Sequence, residues 1–222
     1  MSSRIETIEK QRRTYLPAAG HDWLLPLYDP FLKVCGGEPA RKALADQADI
    51  RPGHHILDIG CGTGTFAVMI KRLHPDVNVV GLDPDPKALA RARRKAEQAS
   101  VSIKFDQGYS DQLPHPDGSF DRVFSSLMFH HLKDQEKEKT LREVVRVLKS
   151  DGSFQMLDFT ESGCGAHGLL PRLLHFSHRL KDNSENRILA LMSNAGFVSA
   201  EKVRDSSMLF GLLRTAYYQA SV

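Results

Sequence analysis

The feature that most constrains this chain is Asp58-Ile-Gly-Cys-Gly-Thr-Gly64. A short apolar run, His55-Ile-Leu-Asp-Ile59, feeds three glycines at alternate positions, and a helical pattern from Thr65 to Leu73 starts directly after them. Glycine supplies left-handed backbone without a Cβ, so such a turn can fold tightly between strand and helix and let a ligand approach the main chain. Asp83 closes a second apolar run, Val79-Val-Gly-Leu82, about twenty residues further on, where a strand-end carboxylate can accept from both hydroxyls of a ribose. A dinucleotide fold shares that logic, but its G-x-G-x-x-G spacing requires glycine where this chain has Thr65. The two elements together point to a nucleoside ligand.

The rest of the chain supplies the fold that such a turn needs. Strand-like and helical patterns alternate from residue 54 onward, which predicts βαβ units and a parallel sheet. The expected strands are 55–59, 77–82, 101–105, 120–126 and 153–159. Helices are expected over 65–73, 86–99, 136–149 and 187–194. Phe66, Met69, Ile70 and Leu73 share one face of the first helix, and Leu141, Val144, Val145 and Leu148 one face of the third. Beyond the helix stop at Gly196, residues 197–204 and 208–216 read as two strands joined by a turn at Asp205-Ser-Ser207. The expected fold class is α/β: a Rossmann-like, seven-stranded, mostly parallel sheet with helices on both faces and a C-terminal antiparallel hairpin.

A length of 222 residues with 41% hydrophobic content suits one large core. We divide the chain into an N-terminal cap segment, residues 1–40, packed on the ligand site, and a main domain, residues 41–222, with an insertion near 160–183. No run approaches the ~20 apolar residues needed to span a bilayer, and the polar start lacks a secretory signal core, so a cytoplasmic protein is expected. Cys35, Cys61 and Cys164 are scattered and read as thiols. A net charge of +3 does not call for nucleic acid, and the Arg91-Ala-Arg-Arg-Lys95 cluster reads as a solvated helix face.

Five ordered motifs carry a family resemblance. Ile56 to Gly64 resembles motif I of class I methyltransferases, and Gly81-Leu-Asp-Pro-Asp-Pro86 resembles their acidic second-strand motif. Leu113-Pro-His-Pro-Asp-Gly-Ser-Phe-Asp121 is similar to the family's L-P-F-x-D-x-S-F-D stretch. Phe129-His-His-Leu132 and Leu141 to Gly152 complete the set, and Asn194-Ala-Gly-Phe197 extends it. The nearest group in appearance is the ubiquinone/menaquinone-biosynthesis C-methyltransferases.

The resemblance implies S-adenosyl-L-methionine as cofactor and S-adenosyl-L-homocysteine as product. It implies that Gly60, Cys61, Gly62 and Gly64 line the methionine and ribose portions, with Asp83 and Pro84 at the ribose. Asp58 would organise the turn or meet the methionine amino group, and Ser126 and Leu127 would border the methionine portion. Gly108 and Tyr109 fall where the family contacts adenine, although Tyr109 stands in place of the usual acidic residue and Asp111 lies nearby. Tyr28-Asp29 resembles a pair that covers the nucleoside in related enzymes.

Methyl transfer from a sulfonium needs an aligned nucleophile, exclusion of water and, for some acceptors, a base. His130 and His131 follow the fourth strand and are the candidate catalytic residues, with a loop-to-helix structural role as the competing assignment. His175 and His178 are one helical turn apart, but nothing completes a metal-ligand set, so no metal is expected. The apolar character of residues 15–29 and 160–183 favours a small, partly hydrophobic acceptor. The absence of an N-P-P-Y-like motif at Ser125-Ser-Leu-Met128 argues against amino-N methylation of adenine or glutamine, and with the solvated reading of the Arg91–Lys95 cluster nucleic acid is an unlikely partner. An RNA or protein methyltransferase and a non-catalytic cofactor-binding module are the alternatives, and a monomer or homodimer is expected.

Overall fold

The structure, a computed structural model, describes residues 35–160, 184–209, 211 and 213–222. Tyr28, the rest of the cap segment before residue 35, Cys164, His175, His178 and most of the 160–183 insertion lie outside the described residues.

Helix α1 (Gly37–Asp46) leads into β1 (His55–Ile59), α2 (Thr65–Leu73), β2 (Asn78–Asp83), α3 (Pro86–Gln98) and β3 (Lys104–Gln107). The chain continues through β4 (Phe120–Ser126), a short 3₁₀ helix (Phe129–His131), α4 (Asp134–Val147), β5 (Leu148–Phe159), α5 (Glu185–Ala195), β6 (Ser199–Met208) and β7 (Leu213–Ser221). The boundary drawn at residue 40 falls within α1.

The seven strands form one sheet in the order β3-β2-β1-β4-β5-β7-β6. Neighbours from β3 through β5 pair in parallel, and β7 runs antiparallel to both β5 and β6. The strand order reverses between β1 and β4, and a crevice at the C-terminal ends of such strands is where open α/β sheets bind ligands.

Alternation along the strands divides the core in two. Ile56, Phe124 and Leu157 pack with Leu44, Phe66 and Leu89 from α1, α2 and α3. Their sequence neighbours Leu57, Val123 and Met156 pack with Leu141, Val144, Ile188 and Met192 from α4 and α5. Full burial of each such aliphatic side chain contributes roughly 1.5–3 kcal/mol.

Several expected boundaries move for identifiable reasons. The third strand starts at Lys104 rather than Val101, because Ser100 adopts φ 54° and the Val101 amide donates to Ala96 O, so these residues finish α3. Asp151-Gly152 does not separate helix from strand. The helix stops at Val147, Leu148 pairs with Phe120, and β5 runs on through both residues past a register shift. Asp205-Ser-Ser207 is not the hairpin turn either, for it pairs with Ala216 to Arg214 inside β6. The left-handed backbone that turns the chain falls at Leu209 and Gly211. Leu73 is 46% exposed, and α2 instead buries Phe66, Ala67, Val68 and Ile70.

Candidate active site

The glycine turn is held by backbone bonds to β2. Gly60 N and Cys61 N both donate to Leu82 O, at 2.8 and 3.0 Å, and Gly64 N donates to Cys61 O at 2.9 Å. Gly60, Gly62 and Gly64 have φ of 68°, 53° and 74°, the left-handed region that requires glycine in practice. Packing adds a second requirement at two of them. A Cβ on Gly64 would stand 2.7 Å from Ala92 Cβ on α3, and one on Gly60 would stand 2.2 Å from Met128 Cγ, beyond the end of β4.

Asp83 fastens this turn to the next. Its Oδ2 accepts from Gly62 N at 2.8 Å and its Oδ1 from Asp85 N at 2.9 Å. Asp85 in turn caps α3 by accepting from Lys87 N at 2.8 Å. Burial pushes the Asp83 carboxyl up to about 6, with the two amide donors working against that shift. Pro84 O accepts from Gln107 Nε2 at 3.2 Å, and Gly108 N donates to Asp83 O at 3.2 Å, so the loop that follows β3 is tied to the same strand end. Tyr109 is half-buried and its carbonyl accepts from Gln112 N at 3.2 Å.

Asp58, the penultimate residue of β1, is fully buried, and its Oδ2 has no hydrogen-bond partner among the described residues. Burial raises its carboxyl to about 7; Arg41 and the Ala67 amide oppose that rise, and the charge of Asp83 adds to it. Burial and the charges of Asp58 and Asp83 also push the neighbouring Cys61 thiol well up. Arg41 comes from the buried face of α1 and donates from Nε to Ser126 Oγ at 3.3 Å. Leu127 follows at φ 57°, a strained backbone for a branched side chain, with its amide held by Leu157 O at 2.8 Å.

Across the crevice, the two histidines have different environments. His130 is 2% exposed and His131 half-buried, with ring centroids 4.1 Å apart. His130 Nδ1 lies 2.5 Å from Asp158 Oδ1, and the His130 amide donates to Asp158 Oδ2 at 2.9 Å. Asp158 sits near the end of β5, fully buried, and also accepts from Phe159 N at 2.7 Å. A carboxylate on Nδ1 selects the tautomer with the proton there and makes Nε2 the acceptor nitrogen of the neutral ring. Asp158 and Arg41 escaped the sequence reading. Each carried a signal: a carboxylate inside the apolar run Phe154 to Phe159, and a guanidinium on the helical face of Ala40, Leu44, Ala45 and Ala48.

The glycine turn, the two strand-end carboxylates and the switch point define a nucleoside-binding Rossmann-like site of the methyltransferase class. Residues 56–152 match a methyltransferase-domain family. A demethylmenaquinone methyltransferase of Deinococcus radiodurans is 38% identical over 157 residues, covering 70% of this chain and 62% of that protein. A demethylmenaquinone methyltransferase of Thermus thermophilus is 39% identical over 133 residues, 60% of each chain. This chain thus spans about three-fifths of the length of those relatives. Its fold is that of YcgJ from Bacillus subtilis, with a TM-score of 0.66 at 22% identity over 83% of this chain and 98% of the other. Over residues 56–152 the chain carries a methyltransferase domain, and it is similar to methyltransferases that include demethylmenaquinone methyltransferases.

The residues present fit S-adenosylmethionine. Left-handed glycines leave the main chain of the turn open to close approach, Asp83 keeps a second lone pair on each oxygen, and the buried Asp58 Oδ2 lacks a donor. Among the described residues no helix is long and apolar enough to cross a membrane.

Proposed function

We propose that this protein transfers the methyl group of S-adenosylmethionine to a nucleophile on a small, partly apolar metabolite, and that His130, oriented by Asp158, takes the acceptor's proton. The observation that carries this is the buried His130–Asp158 pair at the C-terminal ends of β4 and β5, one strand from the cofactor turn. The bound cofactor supplies an electrophilic methyl carbon with a neutral thioether as leaving group. The protein's part is to hold and orient, to exclude water and to receive a proton.

Asp83 holds the ribose hydroxyls, and the glycine turn lies along the ribose and methionine portions. Ser126 and Leu127 border the methionine end, and Tyr109 takes the adenine contact by its ring or hydroxyl. Asp158 fixes the His130 ring through two bonds to one residue, amide and imidazole, so the ring cannot turn without breaking the loop geometry. His131 flanks the base. The names of the relatives support an acceptor resembling a quinone precursor. The unpaired thiols of Cys35 and Cys61 support a cytoplasmic setting, as monomer or homodimer.

The test is an acceptor screen with methyl-labelled S-adenosylmethionine and panels of quinone precursors, phenols, amines and thiols. Label is expected in at least one small molecule, with the rate lost in His130→Gln. Cofactor binding without transfer to any acceptor would instead identify a non-catalytic module, and label in RNA or protein would move the acceptor class.

A further inference from the structure

Asp158 has bonding capacity left over. Its Oδ1 accepts from His130 Nδ1 and from Phe159 N, whereas among the described residues its Oδ2 accepts only from the His130 amide. An ionised carboxylate offers about four acceptor sites, and leaving one empty in a fully buried group is costly. Two buried hydroxyls stand on the strands to either side. Tyr218 on β7 and Ser125 on β4 are both 0% exposed, and neither Tyr218 Oη nor Ser125 Oγ has a hydrogen-bond partner among the described residues. The register sets them in one row, for Ser125 pairs with Met156 on β5 and Met156 with Tyr218. Asp158 lies two residues beyond Met156 and so on the same face of the sheet, the face that packs under α4 and α5. Opposite Asp158 stands Ala216, which puts only a methyl group beside the diagonal from Tyr218 to the carboxylate. Burial raises the Tyr218 phenol, and the charges of Glu185, Asp158 and Asp205 raise it further, so it stays a protonated donor in the field of these carboxylates. Two of the three are already engaged: Lys202 Nζ lies 2.6 Å from Glu185 Oε2 and 2.9 Å from Asp205 Oδ2. Asp158 is the one that is wholly buried and has a site to fill.

We propose that one buried water accepts from Tyr218 Oη and Ser125 Oγ and donates to Asp158 Oδ2, which makes Tyr218 and Ser125 positioning residues for the His130–Asp158 pair; this rests on the reading of His130 as base given above. Buried polar groups beyond direct reach of one another are commonly joined in this way, by a water with about three partners. A donor at Oδ2 draws charge away from Oδ1, so the two hydroxyls set how strongly Oδ1 holds the His130 Nδ1 proton. They act through Asp158 alone.

Proton NMR of the full chain, isotopically labelled at the histidine nitrogens and free of ligand, reads this link without turnover. The His130 Nδ1 proton is assigned as the low-field signal lost in His130→Gln. In Tyr218→Phe that signal is expected to move further downfield, because Oδ1 then carries more charge and accepts more strongly, and in Ser125→Ala to move less far in the same direction. A signal unmoved by either substitution overturns the part of that hydroxyl. With an acceptor that takes label in the screen above, Tyr218→Phe is expected to lower kcat about 5- to 10-fold, with affinity for S-adenosylhomocysteine within about 3-fold of wild type. A moved signal with unchanged kcat overturns the positioning role. A wild-type rate in His130→Gln is a different failure: it removes the base reading, while the signal still decides the link.

Discussion

On either side of the switch point a buried carboxylate does a different job. On the β1–β2 side, Asp83 accepts from the amides of Gly62 and Asp85, so it braces main chain against main chain. On the β4–β5 side, Asp158 accepts from one residue's amide and ring, so it braces a side chain. Main-chain bracing gives a fixed cradle that any ligand of the right outline can enter. Side-chain bracing fixes the tautomer and orientation of a ring, which is what the proposed proton acceptor requires. On the proposed roles, the contrast separates binding from chemistry along the top of one sheet.

The largest effect that could break this contrast is on rate. Asp158→Asn, which leaves the ring's neighbour in place but reverses the hydrogen-bond preference, is expected to lower kcat by about 10²–10⁴-fold. Affinity for S-adenosylhomocysteine should stay within about 3-fold of wild type. Equal losses in kcat and in cofactor affinity would show that Asp158 shapes the cofactor site instead. The next effect belongs to the other side. Asp83→Ala removes the acceptor of two loop amides together with the proposed ribose ligand, and a loss of about 100-fold in cofactor affinity is expected by calorimetry. Unchanged affinity would remove the ribose assignment.

How far each side was legible follows from how it is built. The cofactor turn is local: strand, glycines, helix and the next strand-end acid come in chain order, so the sequence displays them together; the βαβ rhythm announces a parallel sheet, whereas the strand order comes from the structure. His130 and Asp158 are 28 residues apart and meet only because β4 and β5 lie side by side. His130 was nameable from its motif, but its partner depended on register. Arg41 sits 85 residues from Ser126 and looked like an ordinary helical charge. The hairpin turn was misplaced because Asp205-Ser-Ser207 has turn-prone side chains, whereas pairing with β7 and the left-handed backbone at Leu209 and Gly211 decide where the chain reverses.

A smaller effect lies in stability against pH. The Asp58 carboxyl rises from 3.8 to about 7 on folding, chiefly through burial. Between those values the folded protein holds a proton that the unfolded chain has released. Folding stability therefore falls as pH rises through that window and levels off above it. Asp83, raised to about 6, acts in the same direction. Asp58→Asn removes the larger contribution. At pH 8 the cofactor-free variant is expected to be more stable than wild type by on the order of 2 kcal/mol, the two converging toward pH 4 in denaturant titrations. A variant less stable than wild type at pH 8 would show that the ionised carboxylate is already satisfied in the free protein.

The smallest expected effect probes where the two sides touch. Gly60 belongs to the cofactor turn and Met128 to the chain leaving β4, and a Cβ on Gly60 would lie 2.2 Å from Met128 Cγ and 2.8 Å from its Cβ. Gly60→Ala then carries two penalties: left-handed backbone at φ 68°, about 1–2 kcal/mol, and crowding, about 1–3 kcal/mol. Met128→Ala removes the crowding atom at Cγ but not the backbone strain. The double variant should therefore be less destabilised than the sum of the singles, by about 1 kcal/mol in a double-mutant cycle read from denaturant midpoints. Strict additivity would mean that Met128 swings aside at no cost, and that the glycine turn and the loop carrying His130 are packed independently. A coupling of the expected sign makes Met128 the mechanical link through which a shift in the glycine turn reaches the 3₁₀ helix carrying His130, whose first residue, Phe129, follows Met128 directly.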